Sequence, residues 1–199
     1  MGRLLLCDIV ESLMTKTEQI VFVRKDGTPT GEVGPKLASH TAHTKLHLAF
    51  SCYIFHENNN KFLLTQRALS KKVWPGVWTN SVCGHPEPNE KLEDAIRRRA
   101  QYELGIEHLI NLRCVLPSYT YTTPLYNGII ENEFCPVFVA HTSDTTVQPN
   151  PEEVKAYKWL AWSEYVHMLN TDANIMSYWA KDQYKQLEGL VFFRSLLRD

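Results

Sequence analysis

The side chains suited to chemistry fall in separated stretches. His40-Thr41-Ala42-His43-Thr44-Lys45-Leu46-His47 carries three of the eight histidines. His85 follows inside Val82-Cys83-Gly84-His85-Pro86, and Glu131-Asn132-Glu133 lies further along. On a helix, positions 40, 43 and 47 share a face; in other conformations two of them still converge. A Glu-x-Glu in a strand sends both carboxylates to one side of a sheet. Imidazoles with carboxylates suit a borderline or first-row divalent cation such as Zn²⁺ or Mn²⁺. Spacing alone does not select the ligand set. Taken singly, His56, His108, His141 and His167 read as surface residues or satisfied core residues.

A second pattern starts at Gly84: five residues, Glu90, seven residues, then Arg98-Arg99-Ala100-Gln101-Tyr102-Glu103-Leu104-Gly105-Ile106. This resembles the Nudix box, in which carboxylates one helical turn apart share a face and hold Mg²⁺, a hard cation that takes oxygen ligands, against a diphosphate. Two of the clustered glutamate positions are Arg99 and Tyr102 here. Hydrolysis needs that cluster to hold metal and activate water. With Glu103 alone it is disfavoured, and Arg99 supplies positive charge for a phosphate instead. The plain alternative is a surface helix with an Arg99–Glu103 ion pair, worth about 0.5 kcal/mol.

The elements that must position these groups can be read coarsely. Ile20–Lys25 alternates apolar and polar residues and runs into an Asp26-Gly27 turn, after which Pro29–Gly34 is turn or strand. Ala49–His56 and Lys61–Arg67 flank a polar turn as a hairpin. Val73–Val82 is a loop, broken at Pro75-Gly76, that leads into a short strand. Asn89–Gly105 reads as a helix capped by Asn89, with Leu92, Ile96, Ala100 and Tyr102 inward and Gly105 as its stop. Arg113–Thr122, Asn132–Ala140 and Ala156–Ala161 read as strands, and Ser163–Asn170 and Ser177–Leu197 as amphipathic helices. Without regular βαβ alternation this is an α+β chain.

The chain has 199 residues, 44% hydrophobic and 22% charged. That suffices for one domain with a real core and excludes global disorder. A net charge of −1 removes the simple electrostatic case for nucleic acid or an anionic membrane as partner. The five cysteines include no CxxC pair. Neither a secretory leader nor an apolar run of membrane-spanning length is present, so the expectation is a reduced, cytoplasmic chain.

His40–Phe50, Arg67–Lys72, Trp74–Pro86, Tyr102–Gly105 and Gly128–Val137 together resemble type I isopentenyl-diphosphate Δ-isomerase, nearest its bacterial form. The resemblance implies a single Nudix-like domain over 18–199, a mixed β-sheet sandwich with flanking helices. Residues 1–17 fall outside it as an N-terminal extension, disordered or a short helix. Carried over residue by residue, it implies a divalent metal (Mn²⁺, Zn²⁺ or Mg²⁺) on His40, His47, His85, Glu131 and Glu133, leaving His43 out. It implies Cys83, Glu133 and Tyr121 as catalytic residues, and Glu103 as the residue holding Mg²⁺ with the substrate diphosphate. Lys36, Arg67, Lys71 and Arg99 would surround that diphosphate, and Trp179 would face the reacting carbons.

The implied reaction interconverts isopentenyl and dimethylallyl diphosphate. An unactivated alkene is protonated at one carbon and deprotonated at another, through a tertiary carbocation-like state. Glu133 with Tyr121 would give one proton and Cys83, as thiolate, would take the other, its pKa lowered by nearby cations or metal. Trp179 would offer an aromatic face to the cation. Water must be excluded, for which the Trp74–Trp78 loop and the C-terminal helices are candidate lids. Trp74 and Trp78 themselves read as core packing. Cys52, Cys114 and Cys135 read as buried small hydrophobes.

Overall fold

Phe50–His56 (β4) is buried along its whole length, as befits a strand covered on both faces. Phe50, Cys52 and Ile54 pack one way, with Leu63, Ile96, Leu104 and Phe138. Tyr53 and Phe55 pack the other way, with Phe62, Val139, Tyr165 and Phe193. The computed structural model describes residues 18–190 and Phe193. The expected extension over 1–17, and most of the expected helix beyond residue 190, lie outside the described residues.

Two sheets result. The larger has the order β12-β5-β4-β11-β8. It is formed by Val154–Leu160 (β12), Phe62–Arg67 (β5), β4, Val137–Thr142 (β11) and Ile110–Leu116 (β8). Trp78–Thr79 (β6) pairs with β5, and Val82–Gly84 (β7) pairs with β4. The smaller sheet runs β2-β1-β3-β10-β9. Its strands are Pro29–Pro35 (β2), Gln19–Val23 (β1), His47–Leu48 (β3), Asn132–Phe134 (β10) and Thr120–Thr122 (β9). Lys36–Ser39 (α1) is a single turn. Leu92–Leu104 (α2) buries Ala95, Ile96, Ala100 and Leu104 in the core on one side of the larger sheet. Trp162–Thr171 (α3) and Tyr178–Leu187 (α4) bury Tyr165, Leu169 and Leu187 on the other. This is the expected α+β mixed sandwich.

Two expected strands each turn out to be two. Asn132–Ala140 breaks at Cys135-Pro136 into β10 and β11, and Arg113–Thr122 breaks at Pro117-Ser118 into β8 and β9. In both cases the pieces belong to different sheets, because proline has no N–H to give a ladder. The helix starts later than expected. Asn89 has φ 67, whereas a capping residue needs extended φ/ψ; Lys91 takes the cap position, without a side-chain bond. Gly105 ends α2 as expected, at φ 66, where a side chain would strain the backbone. Tyr102 is half exposed rather than inward. The buried stripe runs through Arg99, Ala100, Glu103 and Leu104, which leaves position 102 on the opposite side. Cys114 is exposed, contrary to expectation, while Cys52 and Cys135 are buried.

Candidate active site

Strand register lines up three side chains. Glu133 on β10 stands opposite His47 on β3 and opposite Tyr121 on β9. His85 follows β7 directly, and His40 ends α1. The ligating atoms of His40, His47, His85 and Glu133 all lie within 4.8 Å of one another. His85 Nε2 is 3.2 Å from His47 Nε2 and 3.2 Å from Glu133 Oε1. His40 Nδ1 sits 2.5 Å from the Lys36 carbonyl and His47 Nδ1 3.0 Å from the Lys45 carbonyl. A carbonyl only accepts, so Nδ1 carries the proton and Nε2 turns a lone pair inward. Glu131 Oε2 lies 3.3 Å from His40 Nε2 without the alignment of a hydrogen bond, and His85 Nδ1 is buried without a partner. Lone pairs crowded this closely favour a cation between them, and nitrogen–oxygen ligands fit a divalent one. Four of the five expected ligands converge, the fifth stands beside His40, and His43 is exposed outside the group. With protons on the facing imidazole nitrogens instead, His47 and His85 would outweigh burial and hold the Glu133 carboxyl well below the usual carboxylate range. Tyr121 donates to its other oxygen at 2.8 Å.

Cys83 belongs to the other sheet. It pairs across β7 and β4 with Ser51, so both side chains share a face. Fully buried Asn80 is the hub of this region. Its Oδ1 accepts from Cys83 Sγ at 3.0 Å, Trp179 Nε1 at 3.1 Å and Thr79 Oγ1 at 2.9 Å. Its Nδ2 donates to the Cys52 and Val82 carbonyls. Indole N–H only donates and carbonyls only accept, so the amide orientation is fixed. The Cys83 proton therefore points at Asn80. Cations were expected to lower this thiol. Burial instead pushes it up to about 11, against smaller opposing contributions from Ser51, Asn80 and Arg67, although the residue keeps partial exposure.

Cys83, Tyr121, Glu133 and Trp179 line a cavity of about 590 Å³ that also reaches Lys36, Arg67, Lys71, Arg99 and Glu103. The expected cations are thus brought to the same cavity as the reactive groups. Each is tied to a partner. Arg99 Nη2 lies 2.7 Å from Glu103 and 3.1 Å from Glu153, and Nη1 lies 3.3 Å from Glu18. Lys36 pairs with Glu18 at 2.6 Å, and Lys71 with Glu153. The Arg99–Glu103 pair foreseen on a surface helix is buried instead. Burial raises the Glu103 carboxyl, more than Arg99 lowers it. Glu90 and Arg98 of the box make two 2.7 Å bonds to each other, fastening the preceding loop to α2 and leaving no carboxylate of the box but Glu103 in the cavity.

Arg67 donates to the Val73 and Trp74 carbonyls and lies 5.6 Å over the Trp179 ring. Trp78 is core, as expected. Trp74 is not: it stacks on Tyr126 at 4.8 Å, and neighbouring Val73 walls the cavity. Asn80, Ser51, Glu18 and Glu153 were not singled out by sequence. The side-chain partners of Glu18 and Glu153, and Gln183 on Ser51, are remote in the chain. Asn80 alone carried a signal, since it lies inside the Thr79–Pro86 block.

Among known proteins, the family model described as "NUDIX domain" matches residues 45–182. A protein of Paenarthrobacter aurescens named isopentenyl-diphosphate Delta-isomerase is 45% identical over 174 residues, covering 87% of this chain and 92% of its own. Proteins of the same name from Kocuria rhizophila and Escherichia coli O139:H28 are similar. The first is 46% identical, covering 85% of this chain and 92% of its own. The second is 45% identical, covering 82% and 88%. Among solved structures, a Deinococcus radiodurans protein superposes with a TM-score of 0.62 at 20% identity, over 91% of this chain and all of its own. A MutT protein from Methanosarcina mazei gives 0.53 at 18% identity, over 76% and 92%. At these identities the structural likeness speaks to fold alone.

Proposed function

Because the chain belongs to the NUDIX domain family and, within it, to the isopentenyl-diphosphate Delta-isomerases, we infer that it interconverts isopentenyl and dimethylallyl diphosphate. The observation that carries this reading is one cavity holding a thiol and a Tyr121–Glu133 pair, with Lys36, Arg67, Lys71 and Arg99 opening into the same space. A five-carbon diphosphate needs both: cations for its anionic end, and an acid and a base for its alkene.

In the assigned mechanism Lys36, Arg67, Lys71 and Arg99 bind the diphosphate. Its negative charge supplants part of what Glu18 and Glu153 supply to those side chains. Glu133, backed by the Tyr121 hydroxyl, exchanges a proton with one carbon, and Cys83 exchanges one with another. Cys83 starts as a thiol that donates its hydrogen bond to Asn80. With Glu133 as carboxylate it is therefore poised for the dimethylallyl-to-isopentenyl sense, the thiol giving one proton and the carboxylate taking the other; the opposite sense starts from the exchanged state, with the proton moved from the Cys83 thiol to the Glu133 carboxylate. Trp179, held by Asn80, offers its ring to the cationic carbon, and the Val73–Trp74 loop keeps water away. When bound, a divalent cation (Mn²⁺, Zn²⁺ or Mg²⁺) on His40, His47, His85, Glu131 and Glu133, and Mg²⁺ at Glu103, supply positive charge beside the carboxylate and the diphosphate. A free thiol with this task suits a reducing compartment, which supports a cytoplasmic location.

The test is incubation with isopentenyl diphosphate and Mg²⁺ in D₂O. Dimethylallyl diphosphate and deuterium in the recovered substrate are the expected products. Phosphate release without dimethylallyl diphosphate would make the protein a hydrolase and refute the reading.

A further inference from the structure

A buried chain of polar side chains behind Cys83 has no part in the mechanism above. Tyr53 hydroxyl donates to Gln183 Oε1 at 3.0 Å, and Gln183 Nε2 donates to Ser51 Oγ at 2.8 Å. Tyr53 and Gln183 have no solvent exposure and Ser51 has 1%. Ser51 Oγ then lies 3.5 Å from Cys83 Sγ and 3.5 Å from Cys135 Sγ. Gln183 sits on α4 one turn beyond Trp179, so the same helix face reaches Cys83 twice, through Ser51 and through Asn80.

Hydrogen-bond bookkeeping gives this chain a direction. The one proton of Cys83 points at Asn80 Oδ1. Ser51 already accepts from Gln183. A bond between Ser51 and Cys83 must therefore use the serine proton, with the sulfur accepting. The sulfur is then held from two sides: Asn80 accepts its hydrogen bond, and Ser51, when its single proton turns to Cys83 rather than to Cys135, donates to its lone pair.

We propose that Ser51 and Gln183 are positioning residues for Cys83, acting as one relay that aims the sulfur at the reacting carbon. This rests on the assignment of Cys83 to the reaction. If the relay works as a unit, losing either member loses the whole effect. A sulfur misplaced by a fraction of an ångström to an ångström slows chemistry without weakening diphosphate binding.

The experiment compares Ser51→Ala, Gln183→Met and the double variant in steady-state kinetics. Deuterium incorporation from D₂O is resolved by carbon position. Each single variant should lose on the order of 10- to 100-fold in kcat with KM within about twofold. The double variant should lose no more than the worse single one. Exchange should slow more at one of the two exchanging carbons, the one served by Cys83. Gln183→Leu likewise removes the donor without burying a charge, and it replaces Gln183→Met if that variant does not fold; it should show the same loss. A kcat within about twofold of the parent in the folded variants, or equal slowing at both carbons, overturns the relay. Cys83→Ala separates the two layers: near-parental turnover there overturns the assignment of Cys83 itself, whereas its inactivity beside unaffected Ser51 and Gln183 variants overturns the relay alone.

Discussion

Gly84→Ala tests how tightly α2 is seated on the site. Gly84 pairs with Phe50 across β7 and β4. A Cβ added there would stand 3.2 Å from Arg99 Cγ, 3.2 Å from Phe50 Cζ and 3.4 Å from Phe50 Cε1. Contacts of that length are accepted only if a neighbour yields by a few tenths of an ångström. Neither can do so freely. Phe50 is fully buried on the central strand, and Arg99, although long and flexible, is pinned by Glu103, Glu153 and Glu18. The substitution is therefore an overpacking, with an expected cost of about 1–2 kcal/mol. For a domain of this size that is a drop of roughly 2–8 °C in Tm. The displaced guanidinium should also raise KM for the diphosphate substrate while kcat changes less. Calorimetry and steady-state kinetics read both. Phe50→Leu in the same chain removes the ring atoms in contact, so the two costs should sum to more than the double variant shows. A Tm within 1 °C of the parent together with an unchanged KM would refute the claim that Gly84 is required for close approach.

Removing metal with a chelator should silence turnover and lower Tm, both restored by adding a divalent ion. At 100 times its Kd a ligand stabilises by about 2.7 kcal/mol, and full activity in protein stripped of metal would exclude the ligand assignment. Glu103→Gln should weaken Mg²⁺-dependent substrate binding, seen as a raised KM at fixed Mg²⁺. Identical kinetics would remove Glu103 from that role. Glu18 carries a pH prediction. Burial would raise its carboxyl, but Lys36 and Arg99 outweigh that and bring it from 4.5 to about 2. A depressed folded pKa gives stability that is present above 4.5 and lost as pH falls toward 2. Urea midpoints at pH 5 and pH 3 should therefore differ less in Glu18→Gln than in the parent, and an equal difference counts against the pairing.

Much of this site could be read from the sequence because its candidate ligands sit in short blocks whose geometry is local. Thr79–Pro86 fixes Cys83 and His85 together, and Glu131-Asn132-Glu133 fixes two carboxylates. What escaped was set by tertiary pairing. Glu153 lies 54 positions from Arg99, and Gln183 lies 132 positions from Ser51; nothing local marks either one. The charge state of Cys83 escaped for a related reason. Nearby cations implied a lowered thiol, but the burial that raises it comes from packing. Tyr102 was misplaced because one wrong position in a 3.6-residue period still looks periodic. The split strands were legible in principle, since Pro136 and Pro117 stand inside them.

That split has a mechanical consequence. Glu133 belongs to the smaller sheet and Cys83 to the larger, and Cys135-Pro136 is a short seam by which one strand leaves the first and enters the second. The separation between Glu133 and Cys83 is therefore a distance between sheets rather than a distance along one ladder. Backbone bonds bridge that seam, from Ala49 N to the Phe134 carbonyl, from Ser51 N to the Pro136 carbonyl and from Cys135 N to the Tyr119 carbonyl, so the gap is set where the sheets are stitched together. A volume change at Cys135, which also touches Ser51 of the larger sheet, would therefore act on the spacing between Glu133 and Cys83 from the seam itself.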